Sequence, residues 1–271
     1  MLYLHRMMHC HINPYYKAKY LAGLVVLIGL MLNCHDVVDE ASFDLPDLPE
    51  APQRYLVSET NLESGDIIQT VSYEEEYIAT RSIGSSVYEY DYSAGELVRE
   101  RVTHDRDDVY DTYFTHEPMQ VEWIQTGFPT IFKKVWTSPE TYEETVTDVR
   151  AGANRIIQLR RYTIEDHKPI SRITYRIVNG QEIEEARATY FYKEKVLNPY
   201  FGRYGKDIFQ PLWLYTRLEE YHQRPNGEWF LSHESQYDYE VGEDLLPLAY
   251  DAYFRDDDTP SWRSKRSYQY R

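Results

Sequence analysis

From residue 54 onward, apolar and polar residues alternate with a period of two, and short turn signals interrupt the alternation. One alternating run, Val87–Tyr92, is followed by Ala94-Gly95 and then by a second run, Glu96–Val102. This alternation is typical of strands with two different faces, whereas helices repeat about every 3.6 residues. The pattern therefore predicts β-strands joined by tight turns.

Two Asn-Gly pairs, Asn179-Gly180 and Asn226-Gly227, each lie between two such runs. Asn-Gly is a strong hairpin signal because both turn residues tolerate positive φ. The runs exceed the usual strand length of about 5–6 residues, and long strands twist and curl. We therefore predict an all-β fold, a long-stranded antiparallel meander that forms a strongly curved sheet or a partly closed barrel.

Residues 197–214 break the alternation. Pro199 and Pro211 cannot donate to a strand ladder, so we expect an irregular aromatic loop with a short helix around 207–214. The loop's aromatic residues are candidate ligand-binding residues, and they are Tyr200, Phe201, Tyr204 and Trp213. They form either a platform for a ligand or a plug that closes one end of the barrel. The plug is favoured because an incompletely closed barrel must cover its apolar interior.

The N-terminus has the features of an export signal. Lys17 and Lys19 precede the 12-residue apolar run Leu21–Leu32. A spanning helix needs about 20 apolar residues, whereas a signal peptide needs about 7–15. The length favours a signal peptide over a membrane span, and a buried core helix is the remaining alternative.

The sequence Met31-Leu-Asn-Cys34 resembles the lipobox of bacterial lipoproteins, which implies lipidation at Cys34. Asn33 departs from the usual small residue before the cysteine, and the alternative is an ordinary cleavable signal. An acidic, proline-rich stretch follows and predicts an extended tether. The predicted organisation is a signal peptide over 1–34, a tether over 35–53 and a single β domain over 54–271.

Charge and composition exclude some classes of function and some kinds of site. After Cys34 the chain carries 45 acidic and 26 basic residues, a net charge of −19, which repels phosphate backbones and excludes nucleic-acid binding. The only cysteines are Cys10 and Cys34, so the β domain has neither a disulfide nor a thiolate metal site. The chain has 27 Tyr against 9 Phe. A tyrosine ring packs on a pleated sheet while its hydroxyl stays hydrated, so this bias predicts a wet, curved sheet.

The tyrosine motifs resemble those of one family. Tyr88–Tyr92 before Gly95, and Tyr237-Asp-Tyr239 before Gly242, are similar to tyrosine-aspartate repeats. With Tyr190-Phe-Tyr192 and Asn198-Pro-Tyr200, their order resembles a Bacteroidetes lipoprotein family of unknown function with a porin-like fold. The resemblance covers about half of the mature chain and implies a curved antiparallel sheet that approaches a barrel. It implies no catalytic residue.

Motifs for chemistry are absent from the mature sequence. No nucleophile elbow or phosphate loop occurs, and no cofactor is expected. His222 and His233 flank the second Asn-Gly turn, but two histidines make at most half a zinc site, so no metal site is predicted.

We therefore expect an exported, lipid-anchored protein of the outer membrane or cell surface with a non-enzymatic binding or scaffolding role. Its expected partners are the membrane, through the N-terminal lipid, and a glycan, a peptide or an envelope protein. An envelope hydrolase that uses unrecognised carboxylates is one alternative. An integral outer-membrane barrel is another, and it is disfavoured because the strands are too polar for a lipid-facing row.

Overall fold

The computed structural model describes residues 50–104, 108–150, 154–205, 209–255 and 259–270. These residues form sixteen strands and no α-helix. In chain order the strands are β1 Arg54–Asn61, β2 Ile67–Glu74, β3 Tyr77–Ile83, β4 Ser86–Ser93, β5 Glu96–Thr103, β6 Val109–Glu117, β7 Gln120–Gln125, β8 Thr130–Ser138, β9 Thr141–Asp148, β10 Arg155–Glu165, β11 Lys168–Val178, β12 Gln181–Phe191, β13 Arg217–Gln223, β14 Trp229–Val241, β15 Pro247–Phe254 and β16 Trp262–Tyr270. The export signal and almost all of the tether lie outside the described residues, as do both cysteines.

Every strand pairs antiparallel with its neighbours in the chain, and β1 also pairs with β16, so the sheet is a closed barrel. The pairing of β1 with β16 runs from Arg54 opposite Tyr270 to Asn61 opposite Ser264, with a bulge between Leu56 and Ser58. Bulges add local twist and help a sheet to curve. The predicted all-β antiparallel meander is confirmed, and its closure is complete.

The predicted turns lie where the sequence places them. Asn179 and Gly180 have φ of 52° and 78°, and Ala94 and Gly95 have φ of 53° and 82°. The Asn226-Gly227 turn is wider, because only its glycine has a positive φ, 86°. Its asparagine side chain instead accepts a hydrogen bond from the Glu228 N–H (3.1 Å). A two-residue Asn-Gly turn was therefore a correct prediction for one of the two sites.

The chain between β12 and β13 is described for residues 192–205 and 209–216, and we call these two stretches the crossing segment because they contact opposite walls of the lumen at one end of the barrel. Its first half reaches strands that lie across the barrel from β12. The Ile78 N–H of β3 donates to the Arg203 carbonyl (3.0 Å), and Gly205 forms a β-bridge with Glu96 of β5. We call this end, which also holds the start of β1 and the end of β16, the closed end.

The second half of the crossing segment packs on the opposite wall. The Phe209 ring stacks on Trp136 of β8 (5.7 Å between centroids) and meets Tyr142 of β9 edge-on (5.2 Å). The Leu212 N–H donates to the His167 carbonyl in the β10–β11 turn (3.0 Å). No helix forms in residues 209–214, contrary to the prediction, since Pro211 lacks an N–H and Leu212 donates outside the segment.

At the other end of the barrel, which we call the mouth, the hydrogen bonds of the described turns join adjacent hairpins. The Leu62 N–H donates to the Arg263 carbonyl, and the Gly84 N–H donates to the Ile68 carbonyl, both at 3.1 Å. Within the described part of the chain, only the crossing segment makes contacts across the lumen. The described residues therefore cover the barrel at the closed end.

Gly205 lies close to the backbone of the wall, where it forms a β-bridge with Glu96. Its φ is +76°, and a Cβ there would lie 2.5 Å from the Gly95 carbonyl oxygen. Gly180 has a similar φ, +78°, but open space around it. We expect Gly205→Ala to lower the free energy of unfolding by about 1–3 kcal/mol more than Gly180→Ala, because only the first change adds a clash to the backbone strain. Urea unfolding of both variants measures the difference, and equal losses would contradict the close contact.

Candidate binding site in the barrel interior

The inner face of the wall follows from the strand register. Directly paired residues in an antiparallel sheet share a face, and Tyr142 contacts the crossing segment inside the barrel. Tyr142 pairs with Tyr162, so both side chains face the lumen. Side chains alternate between the two faces of a strand, so every second residue from these also faces the lumen. The wall tyrosines on this inner face include Tyr73, Tyr88, Tyr90, Tyr92, Tyr110, Tyr142, Tyr162, Tyr190, Tyr237, Tyr239, Tyr250 and Tyr268. The tyrosine-rich face of the sheet is therefore the lumen wall.

A buried carboxylate lies at the seam where the first and last strands meet. Glu59 of β1 is 3% exposed and pairs directly with Arg266 of β16, whose Nε donates to Glu59 Oε2 (2.9 Å). The Tyr250 hydroxyl donates to Glu59 Oε1 (2.8 Å), and the Gln69 amide donates to Glu59 Oε2 (2.9 Å). Hydrogen bonds from three neighbouring strands therefore satisfy this carboxylate.

The same network ties the seam to the crossing segment. Gln69 Oε1 accepts hydrogen bonds from Arg81 Nε of β3 (2.8 Å) and from the Tyr200 hydroxyl (2.9 Å). Arg81 also lies over the Tyr200 ring and contacts the Tyr204 hydroxyl (3.4 Å). Barrel closure and placement of the crossing segment thus share one set of polar side chains.

The surroundings of Glu59 keep it ionised. Burial by itself raises its pKa, but the charge of Arg266 and the hydrogen bonds from Tyr250, Arg266 and Gln69 lower it, and the net result is a pKa below its ordinary value. Glu59 therefore remains a carboxylate in the folded barrel at a pH where the unfolded chain would already be protonated.

A second ionic cluster lies on the wall formed by β8 to β10. Arg160 of β10 forms an ion pair with Glu144 of β9, and Lys134 Nζ of β8 lies 3.8 Å from Glu144 Oε2. The Lys134 ammonium also lies over the rings of Trp123 (5.5 Å) and Tyr142 (5.9 Å). A cavity of about 130 Å³ adjoins Lys134 on the lumen side.

The next cluster depends on a small residue between two charged ones. Arg172 of β11 and Glu220 of β13 both pair with Ala188 of the intervening strand. Because Ala188 has only a methyl group, the Arg172 guanidinium reaches over it to Glu220 Oε2 (2.6 Å). His222 Nε2 lies 2.7 Å from the other oxygen of Glu220. The pKa of Glu220 is raised by burial but lowered further by His222 and Arg172, and it ends below its ordinary value.

In the cluster of Glu144, Arg160 and Lys134, the two cations are more exposed to the lumen than the carboxylate is. The Glu144 side chain is 7% exposed, against 33% for Arg160 and 25% for Lys134. The carboxylate lies against the wall, and the positive groups extend from it. In this part of the barrel the surface that a ligand would meet is therefore basic, although the chain as a whole is acidic.

The structure places the four predicted aromatic residues in or beside the plug. Phe201 is 3% exposed, Tyr200 hydrogen bonds to Gln69, and Tyr204 packs edge-on against Tyr90 (5.2 Å). Trp213 pairs with Leu197 in a β-bridge and lies under the Lys195 ammonium (5.1 Å). The four residues all belong to the crossing segment, and their role, whether in ligand binding or as a plug, stays a prediction.

The two histidines that flank the Asn226-Gly227 turn do not face each other. His222 pairs with Phe230, and His233 pairs with Glu220. Among the described residues, no group of three or more His, Cys, Asp or Glu side chains is arranged to hold a metal ion. Nor does the described part of the chain contain a helix long and apolar enough to cross a bilayer.

None of the charged residues of the lumen was predicted from the sequence. The signal was present in their spacing. Glu144 lies two residues from Tyr142, Arg160 two from Tyr162, and Arg266 two from Tyr268, so each shares a face with a tyrosine. A charged residue two positions from an inner-face tyrosine therefore lies on the inner wall as well.

Among known proteins, matches are found with solved structures. No family model and no curated protein matches the sequence. One similar solved structure is a porin-like protein from Bacteroides vulgatus ATCC 8482, with 10% identity and a TM-score of 0.36 over 80% of this chain and 99% of that one. Another is a porin-like protein from Bacteroides uniformis ATCC 8492, with 14% identity and a TM-score of 0.29 over 80% of this chain and 96% of that one.

Both structures carry the porin-like description that the sequence resemblance implied. At TM-scores below 0.5 that description stays with those proteins and supports no conclusion about this one. The lipoprotein resemblance and the tyrosine-aspartate repeats stay predictions.

Replacing Glu59 tests the seam network. We expect Glu59→Gln to lower the free energy of unfolding at pH 7 by about 3–5 kcal/mol, because it leaves the buried Arg266 without a counter-charge. The folded-state pKa of Glu59 is depressed, so the carboxylate stabilises the barrel above its unfolded pKa of about 4.3, and this contribution is lost as the pH falls through the folded-state pKa. The difference between wild type and variant should therefore shrink below about pH 4.

Urea unfolding between pH 3 and pH 7 measures this difference. The double variant Glu59→Gln with Arg266→Met is the control, since it removes both charges and should recover part of the loss. A stability difference that stays constant over the whole pH range would show that the Glu59 charge does not stabilise the seam.

Enlarging Ala188 tests the cluster of Arg172 and Glu220. Ala188 is 2% exposed and lies directly between Arg172 and Glu220, so Ala188→Leu should force the two charges apart and lower the free energy of unfolding by about 1–3 kcal/mol or more. Thr189→Leu, at the exposed neighbouring position on the outer face, should change it by less than about 0.5 kcal/mol. Thermal unfolding compares the two, and similar losses would argue against a structural role for the small side chain.

Proposed function

We propose that this chain is a cell-envelope binding protein, a water-exposed barrel held at the membrane by a lipid on Cys34, which takes up a polar ligand through its mouth. The observation that carries the proposal is the contrast between the two faces of the wall. The outer face bears ion pairs that suit water, and the inner face bears tyrosines and ion pairs that suit a polar ligand.

The outer face bears charged residues within its strands. Arg161 of β10 pairs outward with Glu143 (2.6 Å) and with Glu182 (2.8 Å). Arg101 of β5 pairs outward with Asp111 of β6 (2.8 Å). A charged residue on the lipid face of a barrel costs about 2–4 kcal/mol at the bilayer midplane, so a transmembrane barrel carries an apolar band there. These pairs favour a wall that faces water.

The crossing segment favours a ligand-binding role over a channel role. A barrel of sixteen strands is wide enough to enclose an aqueous lumen. Here the chain covers the closed end with backbone hydrogen bonds to both walls, at Ile78 and at His167. A lumen that is lined by polar groups and covered at one end has the form of a cup, which is suited to holding a ligand.

Anchoring at Cys34 places this cup in the envelope. The tether leads into β1 at the closed end, where the Pro52 carbonyl accepts a hydrogen bond from buried Arg203. The chain therefore enters the barrel away from the mouth. An integral outer-membrane barrel is the alternative that the experiment must separate, and the hydrolase alternative stays a prediction.

Cells that express the wild type, Cys34→Ala or Cys10→Ala test the proposal. We expect a palmitate analogue to label the wild type and Cys10→Ala but not Cys34→Ala. The unlabelled variant should leave the membrane fraction without detergent, because the charged outer wall does not hold it in lipid.

Two outcomes would contradict the proposal in different ways. Label that survives Cys34→Ala would show that this cysteine is not the anchor. An unlabelled Cys34→Ala variant that still needs detergent for extraction would show that the barrel itself lies in the membrane.

A further inference from the structure

Three cations form a basic strip on the inner wall of β8, β10 and β11, namely Lys134, Arg160 and Arg172, and each has a carboxylate partner. Register places Lys134, Glu144 and Arg160 in one row across three strands, and Arg172 lies beside Tyr162 in the adjacent row. The strip therefore combines positive charge with aromatic rings on a single surface of the lumen.

The strip retains donors that the protein does not use. Lys134 Nζ is 3.8 Å from Glu144 Oε2, which is too far for a hydrogen bond. Arg172 Nε is buried and has no hydrogen-bond partner among the described residues. Arg172 Nε is closed to a ligand in this arrangement, so the Lys134 ammonium is the unused donor that an incoming acceptor can reach.

Space and ring surfaces lie next to Lys134. The cavity of about 130 Å³ beside Lys134 is lined by Phe114, Trp123 and Tyr204 as well. Burial, followed by the nearby Glu144, raises the pKa of Tyr162 to about 12, so its hydroxyl stays protonated at neutral pH. Aromatic faces with hydroxyl and cationic donors suit a ligand that has apolar C–H surfaces, hydroxyls and negative charge.

The acidic exterior limits the size of such a ligand. The chain after Cys34 has a net charge of −19, which repels a long polyanion. A short anion can instead enter the lumen and contact the basic strip directly. The arrangement therefore selects short anionic ligands over polymers.

We propose that the basic strip of Lys134, Arg160 and Arg172 binds a short acidic oligosaccharide, through its carboxylate or sulfate groups, inside the lumen. This inference rests on the proposed binding function and names the chemical class of its ligand. The strip supplies the cations, and the neighbouring Trp123 and Tyr162 supply ring surface and a hydroxyl.

Calorimetric titration of the full-length protein in mild detergent tests the inference with three probes. Trigalacturonate carries carboxylates, a heparin-derived disaccharide carries sulfate esters, and maltotriose is neutral. We expect one or both acidic probes to bind more tightly than maltotriose, and their affinity to fall several-fold between about 50 and 300 mM salt. The acidic probe that binds more tightly identifies the source of the charge.

Two adjacent arginines give a matched pair of variants. Arg160 pairs with Glu144 inside the barrel, and Arg161 pairs with Glu143 outside it. Arg160→Gln should weaken binding of the acidic probe by about tenfold or more, and Arg161→Gln should change it by less than about twofold. Lys134→Met carries the same test if Arg160→Gln fails to fold, because Lys134 makes no hydrogen bond to Glu144.

Three outcomes would overturn the inference. They are equal binding of trigalacturonate and maltotriose, equal effects of the Arg160 and Arg161 variants, and no binding of either acidic probe at millimolar concentration. A protein that binds maltotriose alone would refute the acidic ligand and leave the proposed binding function intact. Failure of that function is a separate result, since it appears as detergent-dependent extraction of Cys34→Ala.

Discussion

The ion pair between Glu59 and Arg266 is the interaction on which the closed barrel most depends. It joins the first strand to the last, and its carboxylate also accepts hydrogen bonds from Tyr250 and Gln69. Through Gln69 and Tyr200 the same network reaches the crossing segment. Closure of the wall and coverage of one end are therefore parts of a single polar structure.

Burying this ion pair costs desolvation free energy, but at the seam the pair also specifies the register. Charges removed from water are stabilising only when geometry and hydrogen bonds are good, and apolar residues of similar size are often as stable. A polar pair, however, distinguishes the correct register from a slipped one. A shift by one residue would move Glu59 to the outer face and leave Arg266 buried alone, so the pair specifies the register of the seam.

Much of the wall could be predicted from the sequence, because strands and tight turns are local features. The Asn179-Gly180 turn and the alternation around Tyr88–Tyr92 predict hairpins that the structure contains. Complete closure could not be predicted, since it depends on pairing between residues near 59 and 266. The crossing segment was recognised from Pro199 and Pro211, but the strands that it reaches, such as β3 at Ile78, depend on the finished barrel.

The candidate site was the least predictable part. Glu144 and Arg160 look like ordinary surface charges until the register places them in phase with Tyr142 and Tyr162. The contact of Arg172 with Glu220 over Ala188 involves three strands, and no local pattern indicates it. The predictions at Cys34 and in the tether concern residues outside the described part and depend on sequence alone.

The meander also determines the order in which the molecule can be completed. Fifteen of the sixteen strand pairings join neighbours in the chain, whereas Glu59 and Arg266 are 207 residues apart. A chain that is synthesised from its N-terminus can form hairpins one after another, but β1 cannot pair with β16 until the last strand is made. Until then the sheet has two open edges, which are sites of aggregation. A chain that is shortened at its C-terminus would keep both edges permanently, so loss of the last strand should be far more harmful than its nine residues suggest.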